Sequence, residues 1–200
     1  MSVGNRELNP AFVHHFSAHY NLSKVDKGIT FMWMFNAQLQ QDYISTSIFN
    51  NNKGWDLPDG YGIPKDQNGD AYKPTQITSY ENLKGYTFLR THVALGLPLS
   101  FMKCNLNIKG GVNYNRIPSA IYALGSEDNI LLNILNHDYQ TNYANNIGYD
   151  AGVTLGSNIS ENLDFTVSWN GTYNQAWNTI GQTTKNEYFN HSVNGNIKWT

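Results

Sequence analysis

Leu163 to Tyr173 reads LDFTVSWNGTY. Leu163, Phe165, Val167, Trp169 and Tyr173 share one parity; Asp164, Thr166, Ser168, Asn170 and Thr172 share the other. A period of two with chemically different faces predicts a pleated strand, because successive side chains point to opposite sides of it. Working outward, the same alternation recurs until seven strands are predicted along the chain. The links between them run short, long, short, long, short, long. That rhythm suits a transmembrane β-barrel, whose turns are short on one side of the membrane and whose loops are longer on the other.

The first strand is predicted over 11–22, where Phe12, Phe16, Ala18, Tyr20 and Leu22 alternate with more polar neighbours. The polar turn SKVDKG, Ser23 to Gly28, leads to a second strand over 29–43. Its apolar face carries Ile29, Phe31, Trp33, Phe35, Ala37, Leu39 and Tyr43, while Met32 and Met34 interrupt the polar one. A long polar insertion over 47–84 follows and reads as a loop. The third strand is expected over 85–97, and a short turn through Pro98 to Lys103 precedes the fourth over 104–115. A second long connection is expected over 116–142, in which 128–135 reads as either a short helix or a loop segment. The fifth strand spans 143–157, and after the turn 158–162 the sixth is the strand quoted first. A loop over 174–186 leads to the seventh, where Phe189, His191, Val193, Ile197 and Trp199 alternate with Asn190, Ser192, Asn194, Asn196 and Lys198.

Composition agrees with a wall between two solvents. Charged residues are 14% of the 200, below the roughly 25% of soluble domains. Aromatic residues also reach 14%, with thirteen Tyr and five Trp, residue types that collect at membrane interfaces. A soluble sandwich with asparagine-rich loops would share this composition. A net charge of −2 gives no electrostatic reason to expect nucleic acid as a partner. Cys104 is the single cysteine, so no internal disulfide framework is possible. The opening MSVGNRELNP has no secretory signal pattern. Bacterial single-chain barrels have an even number of strands, and an open sheet leaves edges that lipid does not tolerate. The chain, 1–200, is therefore expected to be part of a larger outer-membrane barrel, with remaining strands and any plug domain elsewhere.

GNRELNP, Gly4 to Pro10, stands just before an aromatic-rich strand. It resembles a recurring join in TonB-dependent outer-membrane receptors, where G-N-x-x-L-x-P precedes a barrel strand; Gly4, Asn5, Leu8 and Pro10 match. SNISENLDFTVSWNGTY (Ser157 to Tyr173) and YENLKG (Tyr80 to Gly85) look similar to turn and strand pairs of the related outer membrane protein β-barrel family. The resemblance covers nearly all of the chain. It implies a receptor of about 22 strands, energised by an inner-membrane TonB complex and importing a scarce nutrient such as a metal chelate or a glycan. This sequence contains neither the plug nor the TonB box of such receptors, so contact with the TonB complex is expected only through a region N-terminal to it.

Candidate sites lie mostly in the long insertion. Trp55, Tyr61 and Tyr72 stand there with Asp56, Asp59 and Asp70. Aromatic platforms beside carboxylates bind sugars or cationic ligands, so Trp55, Asp59, Tyr61 and Tyr72 are the candidate ligand-binding residues; the same side chains could instead anchor the loop to itself. Asp66, Asn68 and Asp70 have the alternate spacing of oxygen ligands for calcium, but Ala71 and Ile77 stand where an EF-hand loop needs Gly and Glu. A solvated turn is the favoured reading of that stretch. His14, His15 and His19 are close in sequence, but the two that share parity are about 13 Å apart along a strand. No G-x-S-x-G, H-E-x-x-H or P-loop occurs, and nothing beside Cys104 predicts a reactive thiolate. Neither an enzyme nor a cofactor is expected.

The expected function is nutrient uptake at the cell outer membrane. The barrel wall would contact lipid, and long outer loops would capture a small ligand. The alternative is a soluble small-ligand-binding β-barrel or sandwich, whose apolar faces would point at each other. A non-transporting surface adhesin is a third possibility.

Overall fold

The computed structural model describes residues 4–50, 69, 76–122, 134, 136–157, 163–180 and 185–199. The strands are β1 (Phe12–Lys24), β2 (Ile29–Gln41), β3 (Tyr43–Asn50), β4 (Gln76–Leu83), β5 (Tyr86–Leu99), β6 (Cys104–Tyr122), β7 (Tyr139–Ser157), β8 (Leu163–Asn178) and β9 (Asn186–Trp199). Seven of them form one antiparallel sheet in the order β1-β2-β5-β6-β7-β8-β9, and β3 pairs with β4 alone. All-β antiparallel architecture is thus as the alternation predicts. Among the described residues no helix is long and apolar enough to cross a membrane, a statement that does not bear on crossing by strands.

Several predicted boundaries shift. The second strand does not run through to Tyr43. Asp42 adopts a left-handed backbone, φ 53°, which a short polar side chain tolerates, and separates β2 from β3. Gly85, at φ 94°, likewise separates β4 from β5. Between these two breaks, both ends of the supposed loop 47–84 are strand: Tyr43 pairs with Leu83 and the ladder continues to Asn50 with Gln76. The connection expected to begin at Arg116 begins later, because β6 continues to Tyr122. β7 starts at Tyr139 rather than Tyr143, and β8 runs to Asn178 rather than Tyr173. Apart from buried Ile134, the stretch 128–135 lies outside the described residues.

The chain divides into two compact units. One comprises 1–12, 40–86 and 118–143 and contains the β3–β4 hairpin; the other comprises 13–39, 87–117 and 144–200 and contains most of the seven-stranded sheet.

Within the sheet unit, the ladders align the alternation across strands. Tyr149 pairs with Tyr173 and Tyr173 with Phe189; Val153 pairs with Trp169 and Trp169 with Val193. On β5 and β6, Leu95 pairs with Ile108 and Thr91 with Val112. Directly paired residues of an antiparallel ladder share a face, so these side chains form one apolar surface. It is exposed: Val153 keeps 38% of its surface, Val167 46% and Ile197 75%.

The opposite face is polar and packs by placing long side chains over glycines. A Cβ at Gly148 would lie 2.7 Å from both Asn113 Nδ2 and Asn174 Oδ1, and one at Gly152 would meet Lys109 and Asn170. The close approach puts the odd residues of β6 and the even residues of β7 and β8 on one surface. Asn107, Lys109, Thr166, Ser168 and Asn196 belong to it, as the alternation predicts.

The short turns are built from local signals. At Val25–Lys27 the chain makes one 3-10 turn, closed by Gly28 N–H donating to the Val25 carbonyl at 3.1 Å, with Gly28 at φ 63°. After Leu99, Met102 N–H donates to the Leu99 carbonyl and Lys103 N–H to that of Ser100. Lys103 takes φ 50°, and β6 then begins at Cys104.

Candidate functional site

Two arrangements stand out among the described residues, one in each unit. The first is a buried polar cluster under the β3–β4 hairpin. Ser45 pairs with Glu81 and Ser47 with Ser79, so these four share a face, and all four are buried. The other face carries Ile44 and Ile48, 40% and 60% exposed. The hairpin thus turns its polar side inward and its isoleucines outward, the reverse of an ordinary half-buried strand.

Hydrogen bonding explains how that inversion is tolerated. Glu81 keeps only 4% of its surface, and a carboxylate so placed must be well partnered. Its Oε1 accepts from Tyr122 Oη at 2.7 Å and faces His137 Nδ1 at 2.6 Å. Its Oε2 accepts from Asn5 Nδ2 at 3.4 Å, and the same amide donates to the Tyr80 carbonyl at 3.1 Å. Ser79 Oγ lies 3.2 Å from Tyr122 Oη, and Ser47 Oγ donates to the Ala120 carbonyl at 3.0 Å. Burial, with the Glu81 contacts behind it, pushes the Tyr122 hydroxyl well above the ordinary tyrosine value; Tyr139, edge-on to Tyr122, is raised by burial and by the Glu81 charge. These groups hydrogen-bond to one another and so join β3, β4, the end of β6 and the segment that carries Asn5.

Asn82 extends the same role on the exposed side of β4. Its Nδ2 donates to the carbonyls of Asn9 and Asp42, and its Oδ1 accepts from Asn9 N–H. The Asn5 and Asn82 bonds draw the GNRELNP segment against β4. Nothing in the sequence pattern signals these partners, which lie more than seventy residues from Asn5 and Asn9.

The second arrangement is a cleft of about 330 Å³ on the polar face of the sheet unit. Asn115 of β6, Asn145 and Asn146 of β7, Asn178 of β8 and Asn186 of β9 line it, with Ile117 and Trp177, and with Ala144 and Ala176 between the carboxamides. Register explains the convergence. Asn146 pairs with Ala176, Ala144 with Asn178, and Ala176 with Asn186, so small residues alternate with carboxamides across three strands. Among the described residues no Asp, Glu, Lys, Arg or His lines the cleft. The Asn115 Oδ1 atom is buried without a hydrogen-bond partner.

The residues singled out from sequence fare differently. Trp55, Asp59, Tyr61 and Tyr72, with Asp66, Asn68 and Asp70, lie outside the described residues. His14, His15 and His19 all stand on β1, His15 and His19 exposed. Among the described residues no group of three or more His, Cys, Asp or Glu is placed to hold a metal ion. Cys104 is buried, its Sγ 3.2 Å from the Met102 carbonyl. The sequence pattern does not single out the five asparagines of the cleft. Their signal was present as polar positions of four strands, but only inter-strand register shows that they meet. Comparison of the chain with protein-family models, curated proteins and solved structures found no match.

Proposed function

We propose that this chain is part of the wall of an outer-membrane β-barrel receptor for TonB-dependent uptake of a small nutrient. The observation that carries the proposal is the largely apolar face across β7, β8 and β9, on which Val153, Val167, Trp169, Val193 and Ile197 are exposed and which Gln175, Glu187 and His191 interrupt, behind a polar face rich in asparagine, threonine and serine. In a soluble barrel or sandwich such side chains would be packed against one another, because burial of apolar surface drives folding in water. Left exposed, they match a hydrocarbon solvent on one side and water on the other. Strand length supports the same reading. β6 and β7 have 19 residues each, against the roughly 9–11 that cross a bilayer when tilted. The surplus extends beyond the membrane, where a receptor meets its ligand.

One polar pair on the apolar face is satisfied in a way that suits lipid. Trp33 Nε1 donates to Thr91 Oγ1 at 3.0 Å, and that hydroxyl donates to the Met34 carbonyl at 3.2 Å. Neither group needs water. The test is fractionation of cells expressing the native gene, followed by gel mobility with and without boiling. Recovery in the outer-membrane fraction with a heat-dependent shift is expected; a soluble monomer of β-type circular dichroism would overturn the proposal.

A further inference from the structure

We infer that the asparagine-lined cleft on the polar face binds a neutral sugar ring, as one subsite for a glycan. The inference names the ligand class of the proposed receptor, and rests on that reading for the ligand being a nutrient.

The lining selects by charge. A charged ligand entering a cleft without ionisable side chains would give up hydration with no opposite charge to replace it, and a neutral one would not. Each carboxamide offers two N–H donors and an acceptor oxygen. A sugar hydroxyl is likewise both donor and acceptor, so each can engage an asparagine in either sense. Four such groups from four adjacent strands surround one space, as the hydroxyls of a ring point outward in several directions. Asn115 Oδ1 is buried without a hydrogen-bond partner, an acceptor of the costly kind, and rotation of its carboxamide would turn it to a hydroxyl in the cleft. Ala144, Ala176 and Ile117 supply the apolar patches that the C–H surfaces of a sugar ring need. The volume, about 330 Å³, is near the lower bound of small-molecule sites, suited to one or two rings rather than a bulky metal chelate.

The surroundings continue the chemistry. Asn170, Thr172, Asn190 and Ser192, with His191, line a smaller recess, and Asn113 and Asn174 lie over Gly148 between the two.

The experiment uses the full chain folded in detergent micelles and an array of immobilised neutral oligosaccharides, with uronate-containing oligosaccharides and short uncharged peptides as competing probes. Two variants test the site: Ala176→Trp fills the space between the asparagines, and the double variant Asn146→Leu with Asn186→Leu removes two exposed carboxamides at near-constant volume. Far-ultraviolet circular dichroism confirms the fold of each. Binding of neutral oligosaccharides, weakened about tenfold or more by both variants, is expected from the loss of two or more hydrogen bonds. Failure to bind any neutral oligosaccharide, preference for uronates or peptides, or binding that neither folded variant weakens would overturn the inference. A membrane barrel that ignores neutral glycans would sink this inference and leave the receptor reading standing. A soluble chain whose glycan binding depends on the cleft would do the reverse.

Discussion

Tyr122 donates its hydroxyl hydrogen to Glu81 Oε1 across 2.7 Å, joining the end of β6 to β4 over 41 residues of sequence. Both residues are almost fully buried, Tyr122 at 2% and Glu81 at 4% exposure. Removing the donor leaves the carboxylate in place with one partner fewer. Tyr122→Phe is expected to destabilise the hairpin unit by about 1.5–3 kcal/mol, the usual contribution of a hydrogen bond to a charged group. Thermal unfolding monitored by amide exchange in β3 and β4 measures it.

The same residue sets a pH limit. A tyrosine whose folded pKa lies above its unfolded value of 10.0 stabilises the fold fully below pH 10, and the contribution is lost as pH rises through 10 toward the folded value. Wild type and Tyr122→Phe are therefore expected to differ by a constant amount below pH 10 and to converge above it. A difference that changed between pH 6 and 9 would assign the effect to another group.

Val167 and Ser168 are neighbours on opposite faces of β8. If the apolar face meets lipid, Val167→Lys costs about 2–4 kcal/mol near the midplane and Ser168→Lys far less. Denaturant titration of folding into phospholipid vesicles compares them. Equal costs would remove the distinction between the faces.

Thr91 is the acceptor for the Trp33 indole. Thr91→Val leaves that N–H without its partner on the apolar face and is expected to cost about 1–3 kcal/mol, whereas Thr91→Ser keeps the oxygen and costs less. The vesicle titration reads both, and a valine variant as stable as the serine variant would mean that the indole finds another acceptor.

Gly28 closes the β1–β2 turn at φ 63°, with the Pro98 ring 3.2 Å from where a Cβ would stand. Gly28→Val is expected to cost at least about 1–2 kcal/mol from the left-handed backbone alone. Gly195→Ala, which meets no atom within 4 Å, is expected to stay within about 0.5 kcal/mol of wild type. Midpoints of chemical unfolding separate the two.

Asn82→Asp replaces the amide that donates to the Asn9 and Asp42 carbonyls by a carboxylate facing both. Loss of two bonds of roughly 0.5–1.5 kcal/mol each is expected to free the Gly4–Pro10 segment. Amide exchange at Glu7 and Leu8 should quicken about tenfold or more, while exchange in β8 is unchanged.

The seven strands of the main sheet, and the side of each that is apolar, were legible in the sequence because a pleat displays its two environments as a period of two. Phe165, Val167 and Trp169 announce their face without reference to any other strand. The β3–β4 hairpin was not legible. Its breaks depend on left-handed backbone at Asp42 and Gly85, which residue type permits but does not require. Its orientation was hidden too: Ile44 and Ile48 would be placed inside by hydrophobicity, yet Ser47, Ser79 and Glu81 go inside, with Ser45 beside them, because Tyr122, His137, Asn5 and Ala120 satisfy those three there. The cleft follows the same logic, since Asn115, Asn146, Asn178 and Asn186 meet only through the ladder register. Local alternation is written residue by residue and determined the class of fold. The partners of buried polar groups, and the strands whose side chains converge, are long-range relationships that no single segment carries, and tertiary structure alone decided them.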